Sequence, residues 1–203
     1  MKETTTDRDA HGRLLADRGV WRQATTIEAA GELTARWLEG QSHYQPGTFA
    51  ASFDEETGPI AAELAAINRN GFFTKESQPG LRTDAGTAQR GYVTGYCSAA
   101  TASRLLELST RGELVTVGHA PGETNRSSIP VTIRDGEVAT VLGSSESPVE
   151  AAQFQDWSDE TNETLALALA DSWYVEIFDP VWGRKDQLLP AVLEALKHSG
   201  TVG

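Results

Sequence analysis

A predicted helix meets a predicted strand within residues 67–80, which read Ile67-Asn68-Arg69-Asn70-Gly71-Phe72-Phe73-Thr74-Lys75-Glu76-Ser77-Gln78-Pro79-Gly80. The helical pattern ends at the Asn-x-Gly, because glycine readily adopts the left-handed conformation that closes a helix. Two aromatic residues then begin a strand, and Thr74, Ser77 and Gln78 follow before a Pro-Gly turn. Apolar walls with a few fixed polar groups are typical of a small-molecule pocket.

Two amphipathic helices are predicted before this segment. The first has Thr25 or Thr26 as its N-cap, carries apolar residues at helical spacing and ends at Gly40. The second has Thr57 as its N-cap and Pro59 in its first turn, where a missing N–H costs little. Residues 1–24 are polar and show no sustained period, so we predict an N-terminal tail followed by a single domain at 25–198.

Strands and helices follow one another irregularly after residue 80. Strands are predicted at 89–97, 114–117 and 173–178, helices at 99–108, 165–170 and 188–196, and Asp135-Gly136 predicts a hairpin. Because this order lacks strict βαβ alternation, we expect an α/β or α+β fold with a mixed β-sheet core flanked by helices. The strand at 173–178 is either central or an edge through which a homodimer forms.

Composition excludes several classes of partner. The chain has 203 residues, a formal net charge of -12 and a pI of about 4.7. We therefore expect no nucleic-acid partner and no binding to anionic membranes, since both need a basic face. One cysteine, a polar N-terminus and no long apolar run predict a cytoplasmic protein without disulfides or a membrane span.

Catalytic motifs and metal-ligand spacings are missing from the sequence. The four histidines lie far apart and no cysteine pair exists, so no metal site is expected. Cys97 is most simply a buried thiol. The acidic residues before Thr57, including Glu56, either complement a helix N-terminus or hold a cationic group of a ligand.

One family resemblance covers roughly residues 25–198. Glu56-Thr57, then a helix, then Asn68-Arg69-x-Gly71-x-x-Thr74-x-x-Ser77-Gln78-Pro79 resembles the C-terminal regulatory domain of eukaryotic methylenetetrahydrofolate reductase in order and spacing. Gln89-Arg90-Gly91-Tyr92 and the helix after it continue the similarity, whereas residues 118–165 match weakly.

The resemblance implies a non-Rossmann domain that binds S-adenosylmethionine and S-adenosylhomocysteine. Carried over by motif, the ligand residues are Glu56, Thr57, Thr74 and Ser77, and the later-strand threonines of the family would be Thr132 and Thr140. The chemistry agrees, because a carboxylate suits the ligand's sulfonium and ammonium groups and short hydroxyls suit its carboxylate and ribose. The reductase barrel of that family has no counterpart in these residues.

Two functions remain open at this point. The first is a stand-alone sensor that binds the nucleoside and signals to a partner protein. The second is a small methyltransferase that acts on a small molecule, which needs mainly positioning because the sulfonium is already activated. If the acceptor must lose a proton, the candidate bases are His43, Tyr44 and His119.

Overall fold

The chain folds into two antiparallel β-sheets with helices around them. The computed structural model describes residues 7–84, 86–112, 114–123, 126–144 and 158–197. Its helices are α1 (Leu15–Trp21), α2 (Ile27–Leu38), a 3-10 helix (Glu55–Ile60), α3 (Ala61–Arg69), α4 (Ala99–Leu106), α5 (Leu108–Arg111), α6 (Glu163–Ala170) and α7 (Leu188–Lys197). Its strands are β1 (Phe72–Gln78), β2 (Leu81–Arg82), β3 (Ala88–Gln89), β4 (Tyr92–Cys97), β5 (Val115–His119), β6 (Arg126–Arg134), β7 (Glu137–Ser144) and β8 (Trp173–Phe178).

Each sheet has four strands, in the orders β1-β4-β8-β5 and β2-β3-β6-β7. The predicted α+β class is confirmed, but the predicted mixed sheet is wrong, because every pairing between these strands is antiparallel. Strand direction depends on the end of the sheet to which each connection returns, and no local pattern encodes that. Strand β8 lies between β4 and β5 and is therefore central, so it offers no free edge for a dimer.

The first sheet is covered on both faces, and its strands alternate between two cores. Phe72 and Val175 point into a core shared with α3, α4 and α7, whereas Phe73 and Tyr174 point into a second core that includes Trp21. Adjacent residues on a strand face opposite sides, so each pair of neighbours serves both cores. This arrangement leaves β1 as the edge at which the candidate site lies.

The prediction of a polar tail at residues 1–24 is wrong for the residues of this segment that the structure describes. Helix α1 occupies Leu15–Trp21, and Trp21 is 1% exposed with its indole N–H donating to the Tyr44 carbonyl at 3.1 Å. Arg13 is also buried. A helix of seven residues, about two turns, with one large apolar anchor is too short to show a period in the sequence. Residues 1–6 lie outside the described residues.

Two local helix signals predicted from the sequence are confirmed, the N-cap at Thr26 and the helix end at Gly71. Thr26 caps α2 by accepting from Ala29 N, Ser98 caps α4 in the same way, and Gly71 follows α3 with a φ of 84°. The N-cap prediction for Thr57 is wrong. A 3-10 helix forms at Glu55–Ile60 with Pro59 inside it, and α3 starts only at Ala61. Asp135-Gly136 forms the predicted hairpin turn between β6 and β7, with φ values of 52° and 82°.

Gly95 is required by the close approach of β4 to β1. A Cβ atom at this position would lie 2.3 Å from the Phe73 carbonyl oxygen, which is backbone and has little freedom to move. We expect Gly95→Ala to lower the free energy of unfolding by about 1–3 kcal/mol. Gly19→Ala in α1 is the matched control, because nothing lies within 4 Å of its Cβ position, and it should leave stability unchanged or raise it. Urea unfolding of both variants measures the difference, and equal stabilities would contradict the packing at Gly95.

Two buried acids predict a loss of stability at alkaline pH. Burial raises the pKa of Cys97 from 9.0 to about 12, and burial with the carboxylates of Glu76 and Glu56 raises the pKa of Tyr92 from 10.0 to about 12. Above pH 9 the unfolded chain releases these protons while the folded chain keeps them, so unfolding becomes easier as the pH rises toward 12. The expected slope is about 1.4 kcal/mol per pH unit for each such group.

The Cys97→Ala variant separates the contribution of Cys97 to this pH dependence from the contribution of the tyrosines. The variant should show a shallower fall in unfolding free energy just above pH 9, where only the thiol of the unfolded chain begins to ionise. Denaturant titrations at a series of pH values give this slope. An identical slope in the variant would show that Cys97 ionises equally in both states.

Candidate functional site

A groove of about 430 Å³ runs along the exposed edge of β1. Its walls come from α2, the loop at residues 45–48, the 3-10 helix and β1, and it lies within the size range of about 300–1,000 Å³ typical of ligand pockets. Three of the residues predicted to bind a ligand line it, namely Thr57, Thr74 and Ser77. They come from two separate elements, so the fold brings together side chains that the sequence separates.

A β-bulge lets Thr74 and Ser77 face the same way. In a regular strand, residues three apart point to opposite faces. Here the register shifts between Thr74 and Glu76, so that Thr74 pairs with Gly95 and Ser77 pairs with Val93. Positions 93 and 95 of β4 share one face, and their partners therefore do too. Bulges commonly re-aim side chains next to functional sites.

Asn68 fixes the orientation of Thr74. The Asn68 side chain is 1% exposed, and its amide group donates to the Leu64 carbonyl at 2.8 Å and to the Thr74 hydroxyl oxygen at 2.7 Å. Its carbonyl oxygen accepts from the Thr74 backbone N–H at 3.0 Å. Since the Thr74 oxygen already accepts a hydrogen bond, its own proton is available to donate into the groove.

The groove also contains charged and aromatic groups. Asp54 and Glu76 supply carboxylates, and the Asp54 side chain makes no capping bond to the 3-10 helix that follows it. Trp37 packs edge-on against Phe53, with ring centroids 5.7 Å apart. The Trp37 indole N–H is buried and has no hydrogen-bond partner within the described residues. A buried donor without a partner is unusual and calls for a ligand or a water molecule.

The remaining predicted ligand residues lie away from this groove. Glu56 precedes Thr57, but it lines a second cavity on the other side of the 3-10 helix. Successive residues of a 3-10 helix are about 120° apart, which sends these two side chains in different directions. Thr132 and Thr140 face each other across β6 and β7 in the second sheet, and neither lines the groove.

The three candidate bases are not brought together at the groove. His43 is exposed, and its backbone N–H donates to Asp17 at 2.7 Å. Tyr44 is fully buried, and burial together with the nearby Glu160 carboxylate raises its pKa above 10.0. A higher pKa makes this hydroxyl harder to deprotonate, so Tyr44 is poorly suited to act as a base.

His119 has a structural environment between the two sheets. It is 1% exposed, and its Nε2 lies 3.0 Å from Oε2 of Glu176, which is also buried. The same carboxylate oxygen accepts from the backbone N–H of Gly143 in β7 at 2.7 Å. This network joins β5 and β8 of the first sheet to the second sheet, and His119 does not line the groove.

A buried arginine holds the loop that forms one wall of the groove. Arg13 donates to the Thr48 carbonyl at 2.8 Å and pairs with Glu160 at 3.0 Å, and the other oxygen of Glu160 accepts from Gly47 N at 2.5 Å. Asp9 completes the set at 2.7 Å from the Arg13 side chain. The sequence analysis did not identify these residues, because Asp9 and Arg13 lie in a turn before α1, where the i, i+4 pairing rule for helices does not apply.

The described ranges show neither a metal-binding cluster nor a membrane-spanning helix. They contain no group of three or more histidine, cysteine, aspartate or glutamate side chains placed to hold a metal ion. No helix found there has the length and apolar character needed to cross a bilayer.

Arg13→Gln should loosen the groove wall and destabilise the fold. The change leaves the Glu160 and Asp9 carboxylates without their partner, and we expect a loss of about 1–3 kcal/mol in the free energy of unfolding. Arg22→Gln, at an exposed position just after α1, is the control and should change stability by less than about 0.5 kcal/mol. Thermal and urea unfolding measure both. Equal stability of the two variants would contradict a supporting role for Arg13.

Comparison with known proteins places the chain in a family. No curated protein matches the chain. A family model described as a domain of unknown function, DUF6919, matches residues 16–199, which begin inside α1 and extend past α7. Since the match includes nearly every described element, the chain belongs to the DUF6919 family.

Proposed function

We propose that the groove along β1 binds S-adenosylmethionine and S-adenosylhomocysteine, and that the protein acts as a sensor or regulatory module. The observation that carries the proposal is the convergence of Thr57, Thr74 and Ser77 on one groove. These residues match the motif of the reductase regulatory domain in order and spacing. The β-bulge explains how two residues three positions apart, Thr74 and Ser77, face the same side of the strand.

The charges of the groove suit such a ligand. Asp54 offers a carboxylate for the ammonium and sulfonium groups, taking the role that the motif had assigned to Glu56. Glu76 offers a second carboxylate, which also lies 4.0 Å from the ammonium group of Lys75 in the same groove. The Thr74 hydroxyl and the Ser77 hydroxyl offer donors for the carboxylate of the ligand. Trp37 provides an aromatic surface for the adenine ring.

The binding role is favoured over methyl transfer. None of the three candidate bases lines the groove, and two of them are buried in other surroundings. A methyltransferase whose acceptor needs no deprotonation would in addition require a second substrate next to the sulfonium. A sensor needs only a groove whose occupancy changes the surface around it.

Titration calorimetry with both nucleosides tests the proposal. We expect each to bind, and Thr74→Val and Ser77→Ala each to weaken binding about 5- to 150-fold, which corresponds to about 1–3 kcal/mol for a lost hydrogen bond to a ligand. Asp54→Asn should weaken the sulfonium form more than S-adenosylhomocysteine, because only the former carries the sulfonium charge.

Matched controls decide between local and general effects. Thr132→Val replaces another buried threonine, outside the groove, and Ser103→Ala replaces an exposed serine of α4. Both should bind as the unmodified protein does. Absence of binding below about millimolar, or equal losses in Thr74→Val and Thr132→Val, would overturn the assignment of this groove.

A further inference from the structure

A second cavity of about 470 Å³ lies beside the 3-10 helix, on the side that Glu56 faces. Its walls are mainly apolar and include Ile60, Leu81, Leu189 and Pro190. Ile60 and Leu189 are buried in the core, so this part of the wall is anchored in the fold. The cleft is therefore large enough and apolar enough to hold the body of a small organic molecule.

A buried amide presents an acceptor to this cleft. Gln89 lines it and is 6% exposed. Its NH₂ group donates to the Gln78 side-chain carbonyl and to the Pro79 carbonyl, both at 2.9 Å. Both amide hydrogens are thus used, and the side-chain carbonyl oxygen of Gln89 has no partner among the described residues. An acceptor held in this way selects a ligand that donates a hydrogen bond.

The charged side chains at the rim of the cleft also favour a ligand that donates hydrogen bonds. The lining has three carboxylates, from Glu56, Glu63 and Asp186, and one ammonium group, from Lys185. Within the part of the chain that the structure describes, none of these carboxylates takes part in an ion pair. The local charge is therefore negative, and it favours a positively charged group above an apolar floor.

The wall that carries Lys185 and Asp186 is held firmly. Asp179 is fully buried, accepts from Val181 N at 2.8 Å and pairs with Arg184 at 2.5 Å. Gly80 packs so closely on this segment that a Cβ atom would lie 2.0 Å from the Arg184 carbonyl oxygen. Because of these contacts, the wall of the cleft is already ordered before a ligand binds. Binding therefore loses less conformational entropy.

We infer that this cleft binds a small organic cation: an apolar or aromatic body bearing a protonated amine. The apolar floor takes the body, the Gln89 carbonyl accepts one N–H, and the rim carboxylates neutralise the charge. The inference does not depend on nucleoside binding in the groove along β1, because the two cavities are lined by different residues.

Three probes with the same aromatic body test this site. 2-Phenylethylamine, 2-phenylethanol and 3-phenylpropionate differ chiefly in charge. In calorimetric or NMR titrations the amine should bind at least about fivefold more tightly than the other two. Its affinity should fall as salt rises from about 0.05 M to about 0.5 M, because salt screens the rim carboxylates. Amide shifts should concentrate at Gly80, Leu81 and Glu63.

A charge-matched pair of variants locates the effect. Glu56→Gln together with Glu63→Gln should weaken amine binding about fivefold or more. Glu28→Gln together with Glu163→Gln removes the same charge from exposed first turns of α2 and α6 and should leave binding unchanged. Thr74→Val and Ser77→Ala should also bind the amine normally, which separates this result from the nucleoside assay.

Three results would overturn the inference. The first is that no probe binds at millimolar concentration, and the second is that the amine binds no better than the alcohol and the carboxylate. The third is that both double variants weaken binding equally, because the attraction would then come from the overall charge of -12 rather than from the cleft.

Discussion

The Asn68 carboxamide is the contact on which the groove depends. It uses both amide hydrogens and its carbonyl oxygen to join the last turns of α3 to the start of β1. At 1% exposure, no water could replace these bonds without a cavity forming around it. The neighbouring helix also approaches this residue closely, since a Cβ atom on Gly31 of α2 would lie 2.7 Å from the backbone carbonyl oxygen of Asn68. Helices α2 and α3 and strand β1 are therefore packed around this one residue, and Thr74 takes its position from it.

The bulge in β1 converts a sequence spacing into a shared surface. Thr74 and Ser77 would face opposite sides of an unbroken strand, and one of them would then be lost to the groove. Gly95 makes the bulged geometry sterically accessible, because the opposing strand carries no side chain where the Phe73 carbonyl approaches. The motif and a glycine some twenty residues later thus form one structural unit. The effects of substitutions in the motif and at Gly95 should therefore be interpreted together when ligand binding is measured.

Sequence patterns predicted the features that are decided within a few residues. The cap at Thr26 and the turn at Asp135-Gly136 depend on short-range hydrogen bonds and backbone preferences, so the local sequence contains them. Strand direction, the packing of α1 and the wall held by Arg13 arise from residues far apart, and no periodicity encodes them. For the site, motif spacing identified Thr57, Thr74 and Ser77, but it could not show that Glu56 faces away. That separation follows from the 3-10 helix at Glu55–Ile60, in which successive side chains point about 120° apart, at a place where the sequence predicted only an N-cap.

The 3-10 helix and the Gln78–Gln89 pair together give the two cavities different chemistry. Gln89 donates both of its amide hydrogens, so Gln78 must turn its carbonyl oxygen toward Gln89 and leave its own NH₂ group on the side of the groove along β1. The groove therefore gains a donor, while the cleft beside Glu56 gains an acceptor. Reversing either amide would place two like groups against each other and lose a bond at 2.9 Å, so the two orientations are set jointly. A ligand that disturbed Gln78 in the groove would act on Gln89 through this hydrogen bond, which directly joins the linings of the two cavities.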